Sequence, residues 1–140
     1  MKKLAWITVP LMTLALTGCG GKKSSGGGDA KSAEQTVTAT PQEMVKAYAA
    51  NTVAADQKFK DKRIKVTGVV KDINTGITGA PYVIMSTGYK YGLYDPHFNF
   101  SKDHLNELAK VQKGKSITVI CTGHGDIAKT PMNEDCELSK

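Results

Sequence analysis

The spacing of apolar residues changes several times along the chain, and each change marks an element. Leu4 to Leu16 is a largely apolar run. Gly20 to about Ala39 has no apolar period, and Gly20-Gly21-Lys22-Lys23-Ser24-Ser25-Gly26-Gly27-Gly28 offers nothing to bury. Thr40-Pro41-Gln42-Glu43 then reads as N-cap, N1 proline and N3 glutamate, a capping box. Met44, Val45, Tyr48, Thr52 and Ala55 follow at helical spacing, so a helix is predicted from Pro41 to about Gln57. From Arg63 the period becomes two: Ile64 and Val66 alternate with Arg63, Lys65 and Thr67. Gly68 interrupts this strand, and Val69, Val70 and Ile73 continue it as if it turned a corner.

A Gly-rich turn over Asn74 to Pro81 leads to a predicted second strand, Tyr82 to Ser86. Thr87-Gly88 reads as a hairpin turn into a third strand, Tyr89 to Tyr94, which Asp95-Pro96 would stop. Ser101 would cap a short helix reaching about Val111, with Leu105, Leu108 and Ala109 on its apolar face. Ser116 to Gly123 is a predicted fourth strand, and Asp135 to Ser139 a short fifth. The order is helix, three strands, helix, two strands. A long, bent first strand with a helix between strands three and four is the organisation of an OB-fold. The fold expected is mainly β with two helices: an OB-like five-stranded barrel preceded by an N-terminal helix.

The N-terminal run carries a second message. Lys2 and Lys3 precede it, and Leu16-Thr17-Gly18-Cys19 closes it. A charged start, a short apolar stretch and small residues before a cut site make a secretory signal peptide. The run is about 13 residues, short of the ~20 needed to span a bilayer. Leu16-Thr17-Gly18-Cys19 resembles the lipobox of bacterial lipoproteins. That resemblance implies cleavage before Cys19, acylation of Cys19 and attachment to a membrane. The alternative is an ordinary signal peptide with an unmodified Cys19. Three segments result: residues 1–18 as lipoprotein signal peptide, 19–39 as a flexible tether, and 40–140 as the OB-like domain. A tether of about 20 residues has a root-mean-square reach near 25 Å.

Charge and cysteine content sharpen this picture. The formal net charge is +6, and without Lys2 and Lys3 the mature chain keeps about +4. Part of that excess lies at Lys22, Lys23 and Lys31, where it would face anionic headgroups. What remains on the domain does not by itself imply nucleic acid. If Cys19 carries lipid, Cys121 and Cys136 are left as a pair. Two cysteines in a small exported domain read as one disulfide.

A family resemblance agrees with the fold. Asn51, Ala55, Phe59, Lys62 and Val66-Thr67-Gly68-Val69-Val70, followed by Ile73, resemble the opening pattern of the tRNA-anti-like family of OB-fold lipoproteins. Leu105, Leu108, Lys113-Gly114-Lys115 and Val119 resemble its second half, and Cys121 and Cys136 its two cysteine positions. The likeness covers about residues 41–139. It implies an OB-like domain and little about a ligand.

Catalytic chemistry finds no pattern. His97, His104 and His124 have no zinc-site spacing, and a Cys121–His124–Cys136 site would lack a fourth ligand. There is no G-x-S-x-G, and Gly76 to Gly79 lacks the Lys-Ser/Thr of a phosphate loop. No catalytic residue, metal or cofactor is expected, and the chain is not expected to be an enzyme. The one constellation of interest is aromatic and basic: Tyr82, Tyr89 and Tyr91 with Lys90 interleaved, a candidate ligand face. OB-folds stack bases on such aromatics within a basic groove. Against this, aromatics alternating with lysine are common in half-buried strands. The expected function is a lipid-anchored, non-enzymatic binding or interaction domain of the bacterial envelope. Its partner would be the membrane, through the lipid, and an envelope protein, peptide or glycan. The extracytoplasmic setting argues against nucleic acid. The alternative is an oligonucleotide- or anion-binding OB domain. Gly20, not aspartate, follows Cys19, which is compatible with an outer membrane where the organism has one.

Cys19→Ser is expected to leave the signal uncleaved and the chain without acyl groups. Intact-mass measurement of the membrane fraction checks this, and a mature mass lacking lipid would contradict it.

Overall fold

A computed structural model describes residues 35–140. The expected signal peptide, Cys19 and residues 20–34 of the expected tether lie outside the described residues. Within the described residues a short strand, β1 at Val37–Ala39, precedes Thr40. Helix α1 follows at Pro41–Ala50. The capping box forms as the sequence predicts: Glu43 N–H donates to Thr40 Oγ1 at 3.2 Å, and Thr40 N–H donates to Glu43 Oε2 at 2.8 Å. The Thr40 bonds hold the Glu43 carboxyl below its ordinary pKa.

The single helix expected over Pro41 to Gln57 is instead two. Asn51 ends α1 and starts α2 at Thr52–Phe59. Its backbone is extended, its N–H bonds Ala47 O at 3.0 Å, and its side chain accepts from Ala54 N–H at 3.2 Å. An amide side chain that can cap the next helix competes with continuing the last one.

Strand β2, Arg63–Thr75, is the longest element. Its first half pairs antiparallel with β5, Ser116–Ile127, from Arg63↔Thr122 to Val69↔Ser116. Its second half pairs on the other edge with β3, Pro81–Met85, from Val70↔Met85 to Thr75↔Pro81. Strand β1 fills the edge of β2 that β3 leaves open, running parallel at Val37↔Ile64 to Ala39↔Val66. With β4 at His97–Phe100 and β6 at Thr130–Leu138, the order β1-β2-β3-β4-β6-β5, with β2 also bonded to β5, closes a five-stranded barrel. Gly68 lies where β2 bends, and a register shift follows between Val70 and Asp72. A Cβ at position 68 would fall 2.6 Å from Pro41 Cγ and 2.9 Å from Met85 Sδ, so only glycine lets α1 pack this closely.

The third strand, β4, is His97–Phe100 and not Tyr89 to Tyr94. The buried Phe98 and Phe100 alternate there with the half-buried His97 and Asn99. The chain from Ser86 to Pro96 is a loop, and no tight turn forms at Thr87-Gly88. The helix expected from Ser101 to Val111 is shorter, a 3-10 turn at Lys102–His104 and α3 at Leu105–Leu108. Strand β5 runs past Gly123 to Ile127, and β6 starts earlier than expected, at Thr130–Leu138. The two-residue turn between them, Ala128-Lys129, takes φ of 49° and 71°, the left-handed pair that matches hairpin twist. Lys129 Nζ reaches back to Tyr48 O at 3.1 Å and Thr52 Oγ1 at 2.7 Å, fastening this hairpin to the break between α1 and α2.

Among the described residues the buried core side chains lie between positions 39 and 136. Met44 and Tyr48 of α1 and Phe59 of α2 close one side of the barrel over Ile64 and Val66. The Tyr48 hydroxyl donates to Asp56 Oδ1 at 3.2 Å. Burial, with the Asp56 charge, pushes its pKa well above the usual phenol value. Among the described residues no helix is long and apolar enough to cross a membrane.

Cys121 and Cys136 form the expected disulfide, joining β5 to β6 inside the core. It closes a loop with a sequence separation of 15, worth about 3 kcal/mol in the chain-entropy account. Cys121→Ala with Cys136→Ala is expected to lower unfolding stability by about that amount. Denaturant titration checks it. Free thiols in native, unreduced protein would contradict the bridge.

Candidate ligand face

The three tyrosines grouped in the sequence separate into two places. Tyr82 is on β3, on the outer face of the barrel. Tyr89 and Tyr91, with Lys90, are on the loop that leaves the other end of that strand. The grouping rested on a strand at Tyr89 to Tyr94 that does not form.

The outer face is set by strand alternation. Val83 and Met85 point into the core, so Tyr82 and Ile84 point out. Across β4 the same logic turns Phe98 and Phe100 inward and His97 and Asn99 outward. Register then aligns two rows. One runs Asn74, Tyr82, Asn99, and the other Asp72, Ile84, His97, Met132. Tyr82 and His97, diagonal neighbours, stack with centroids 5.6 Å apart and planes 8° from parallel. Burial lowers the His97 pKa below its ordinary value, and the Asp95 charge opposes that. Burial thus favours the neutral ring, which offers an aromatic surface. The platform rests on a buried amide: Asn133 Nδ2 donates to His97 O at 3.0 Å, and Asn99 Nδ2 donates to Asn133 O at 3.1 Å.

Two ion pairs involve strands of the sheet around this face. Lys113 bonds Asp72, whose carboxyl is held below its ordinary pKa first by that bond and then by the Asn74 side chain. His124 lies 3.4 Å from Glu134. The histidine bonds on the short helix are local as well, with His104 2.9 Å from Glu107.

The loop is held at its base. Asp95 is buried and accepts from both the N–H and the hydroxyl of Thr87, and Lys71 Nζ lies 2.7 Å away. Gly92 has φ of 53°, and a side chain there would collide with the Lys71–Asp95 pair. Between the loop and α1 lies a mostly apolar cavity of about 340 Å³. Beside the lysine-rich start of β2 lies a polar pocket of about 350 Å³ lined by Lys58, Asp61 and Lys62; Arg63 there pairs with Glu137 at 2.6 Å, and Lys58 lies over the Phe59 ring. Among the described residues no cluster of His, Cys, Asp or Glu has a metal-holding arrangement.

Tyr82 is legible in the sequence as a candidate, but its partner His97 is not read as one, because it lies beyond the point, Asp95-Pro96, where the expected third strand stops. The alternation His97-Phe98-Asn99-Phe100 carried the signal.

The comparisons agree with the barrel. A Klebsiella pneumoniae lipoprotein, described by name as nucleic acid-binding, has a solved structure that superimposes with a TM-score of 0.60 at 23% identity. The match covers 82% of this chain and 99% of that one. The yeast Stn1 and Ten1 structure matches with a TM-score of 0.44 at 16% identity, over 76% of this chain and 64% of that one. No curated protein matches in sequence. The tRNA_anti-like family model matches residues 1–137, and the chain belongs to that family.

Proposed function

We propose that this is a lipid-anchored protein of the bacterial envelope whose OB domain binds a ligand across the outer face of β3 and β4. The observation that carries the reading is the Tyr82–His97 stack on that face. OB-folds bind oligonucleotides and oligosaccharides over the corresponding strands. Binding, and not catalysis, is the role, and the anchor is the lipid read at Cys19.

The chemistry of the face favours a neutral, ring-bearing polymer such as an envelope glycan. Aromatic surface is flanked by the amides of Asn74 and Asn99, while Lys113 is committed to Asp72. A single-stranded nucleic acid needs cations left over for its phosphates. The Klebsiella protein's name makes that ligand the comparison to run.

N-acetylglucosamine oligomers and a thymidine oligonucleotide serve as the two probes. The glycan is expected to shift the NMR signals of Tyr82 and His97 with little dependence on salt. Tyr82→Ala is expected to weaken binding by about 1–3 kcal/mol if one ring stacks there as a base does. Oligonucleotide binding at the same residues with a steep salt dependence would transfer the site to nucleic acid. Shifts confined to other surfaces would overturn the assignment.

A further inference from the structure

We infer that the Ser86–Pro96 loop, with Lys46 of α1, is a membrane-contact surface that lays the domain against anionic lipid headgroups. The inference rests on the proposed anchor at Cys19. It concerns a surface separate from the β3–β4 face.

Four apolar side chains are exposed on this one loop. Tyr91 is 74% exposed, Leu93 73%, Tyr89 48% and Tyr94 45%. Single exposed apolar residues are ordinary, but a contiguous set marks a contact site. They border the cavity whose opposite wall is Val45 and Ala49 of α1. The loop is not loose, because Asp95, Thr87 and Lys71 fix its base and Gly92 its bend. A fixed tip loses less freedom on contact.

The charge pattern identifies the occupant. Lys46 and Lys90 belong to the cavity lining, and among the described residues no carboxylate does. Lys90 sits over the Tyr91 ring, 5.7 Å from its centroid. Asp95 is buried beneath and already bonded. Tyrosine places an apolar ring and a polar hydroxyl at headgroup depth, leucine enters the acyl boundary, and lysine meets anionic phosphate.

Reach permits the contact. The chain enters the fold where β1 pairs with Ile64, and the loop meets β2 at Val69 and Lys71. Five to seven strand residues separate these points, about 20 Å. The tether expected from the sequence, at a random-coil reach of about 20–25 Å, would therefore let the loop touch the surface that holds the proposed anchor. Anchoring also raises the effective concentration of lipid at the loop, so weak contacts suffice.

The test uses the mature lipoprotein in vesicles of phosphatidylcholine and phosphatidylglycerol. The one tryptophan, Trp6, precedes Cys19, so Tyr91→Trp makes a single emitter in the mature chain. Its emission is expected to shift to the blue and to be quenched by brominated acyl chains, severalfold more than that of Val53→Trp, an exposed site on α2. Replacing Lys46 and Lys90 by alanine is expected to lower the docked fraction's equilibrium constant about fivefold per lysine. Emission matching Val53→Trp, or unchanged when phosphatidylglycerol is removed, would overturn the inference. A blue shift that needs no lipid and grows with protein concentration would overturn it in favour of a second copy of the chain. If mass measurement finds no lipid on Cys19, the unlipidated Tyr91→Trp chain is added to excess vesicles. A blue shift there supports the surface while the anchor fails, and its absence overturns the surface.

Discussion

One strand has to serve two neighbours in succession, and the barrel depends on it. The first half of β2 bonds β5, its second half bonds β3 on the opposite edge, and the switch occurs at Gly68 to Asp72. A strand can change partners in this way only by bending, and bends of this kind are made by a bulge or a residue without a side chain. Both are present. The bend also leaves a depression that Pro41, the first residue of α1, fills against Gly68 and Met85. Closure of the sheet and seating of the N-terminal helix are therefore one event in the structure.

The rest of the domain follows from that closure. Each edge of β2 is covered, with β1 supplying the stretch that β3 does not reach, so no long edge is left bare. The Cys121–Cys136 bridge joins the last two strands inside the barrel, where a domain of about 100 residues gains most from a covalent staple. Lys129 ties the hairpin of those strands to α1 and α2. These constraints present the Tyr82–His97 stack on a sheet whose inner side is fully packed. The stack is therefore fixed before any ligand arrives, and little ordering is left for binding to oppose.

The sequence was legible where a residue acts locally. The capping box at Thr40 to Glu43, the alternation of Ile64 and Val66 and the break at Gly68 are read from neighbours within a few positions. The disulfide was legible because setting Cys19 aside as the expected lipid site leaves two cysteines, Cys121 and Cys136. Errors arose where a long-range contact decides. Tyr89 to Tyr94 alternates like a strand, yet Asp95 takes Thr87 and Lys71 as partners and folds the segment into a loop. Asn51 splits a helix whose apolar spacing continues across it. The stack of Tyr82 on His97 needs the register of β3 against β4, which no local pattern encodes.

The central claim is that the packing of Pro41 against an unsubstituted position 68 holds the bent strand and the helix together. Unfolding measurements on Gly68→Ala, Pro41→Ala and the double variant test it most directly. Gly68→Ala is expected to destabilise by about 1–3 kcal/mol through overpacking. The double variant should be more stable than the sum of the two by at least about 0.5 kcal/mol, because shortening the proline ring to a methyl relieves the collision. A neutral Gly68→Ala, or strict additivity of the pair, would contradict the account.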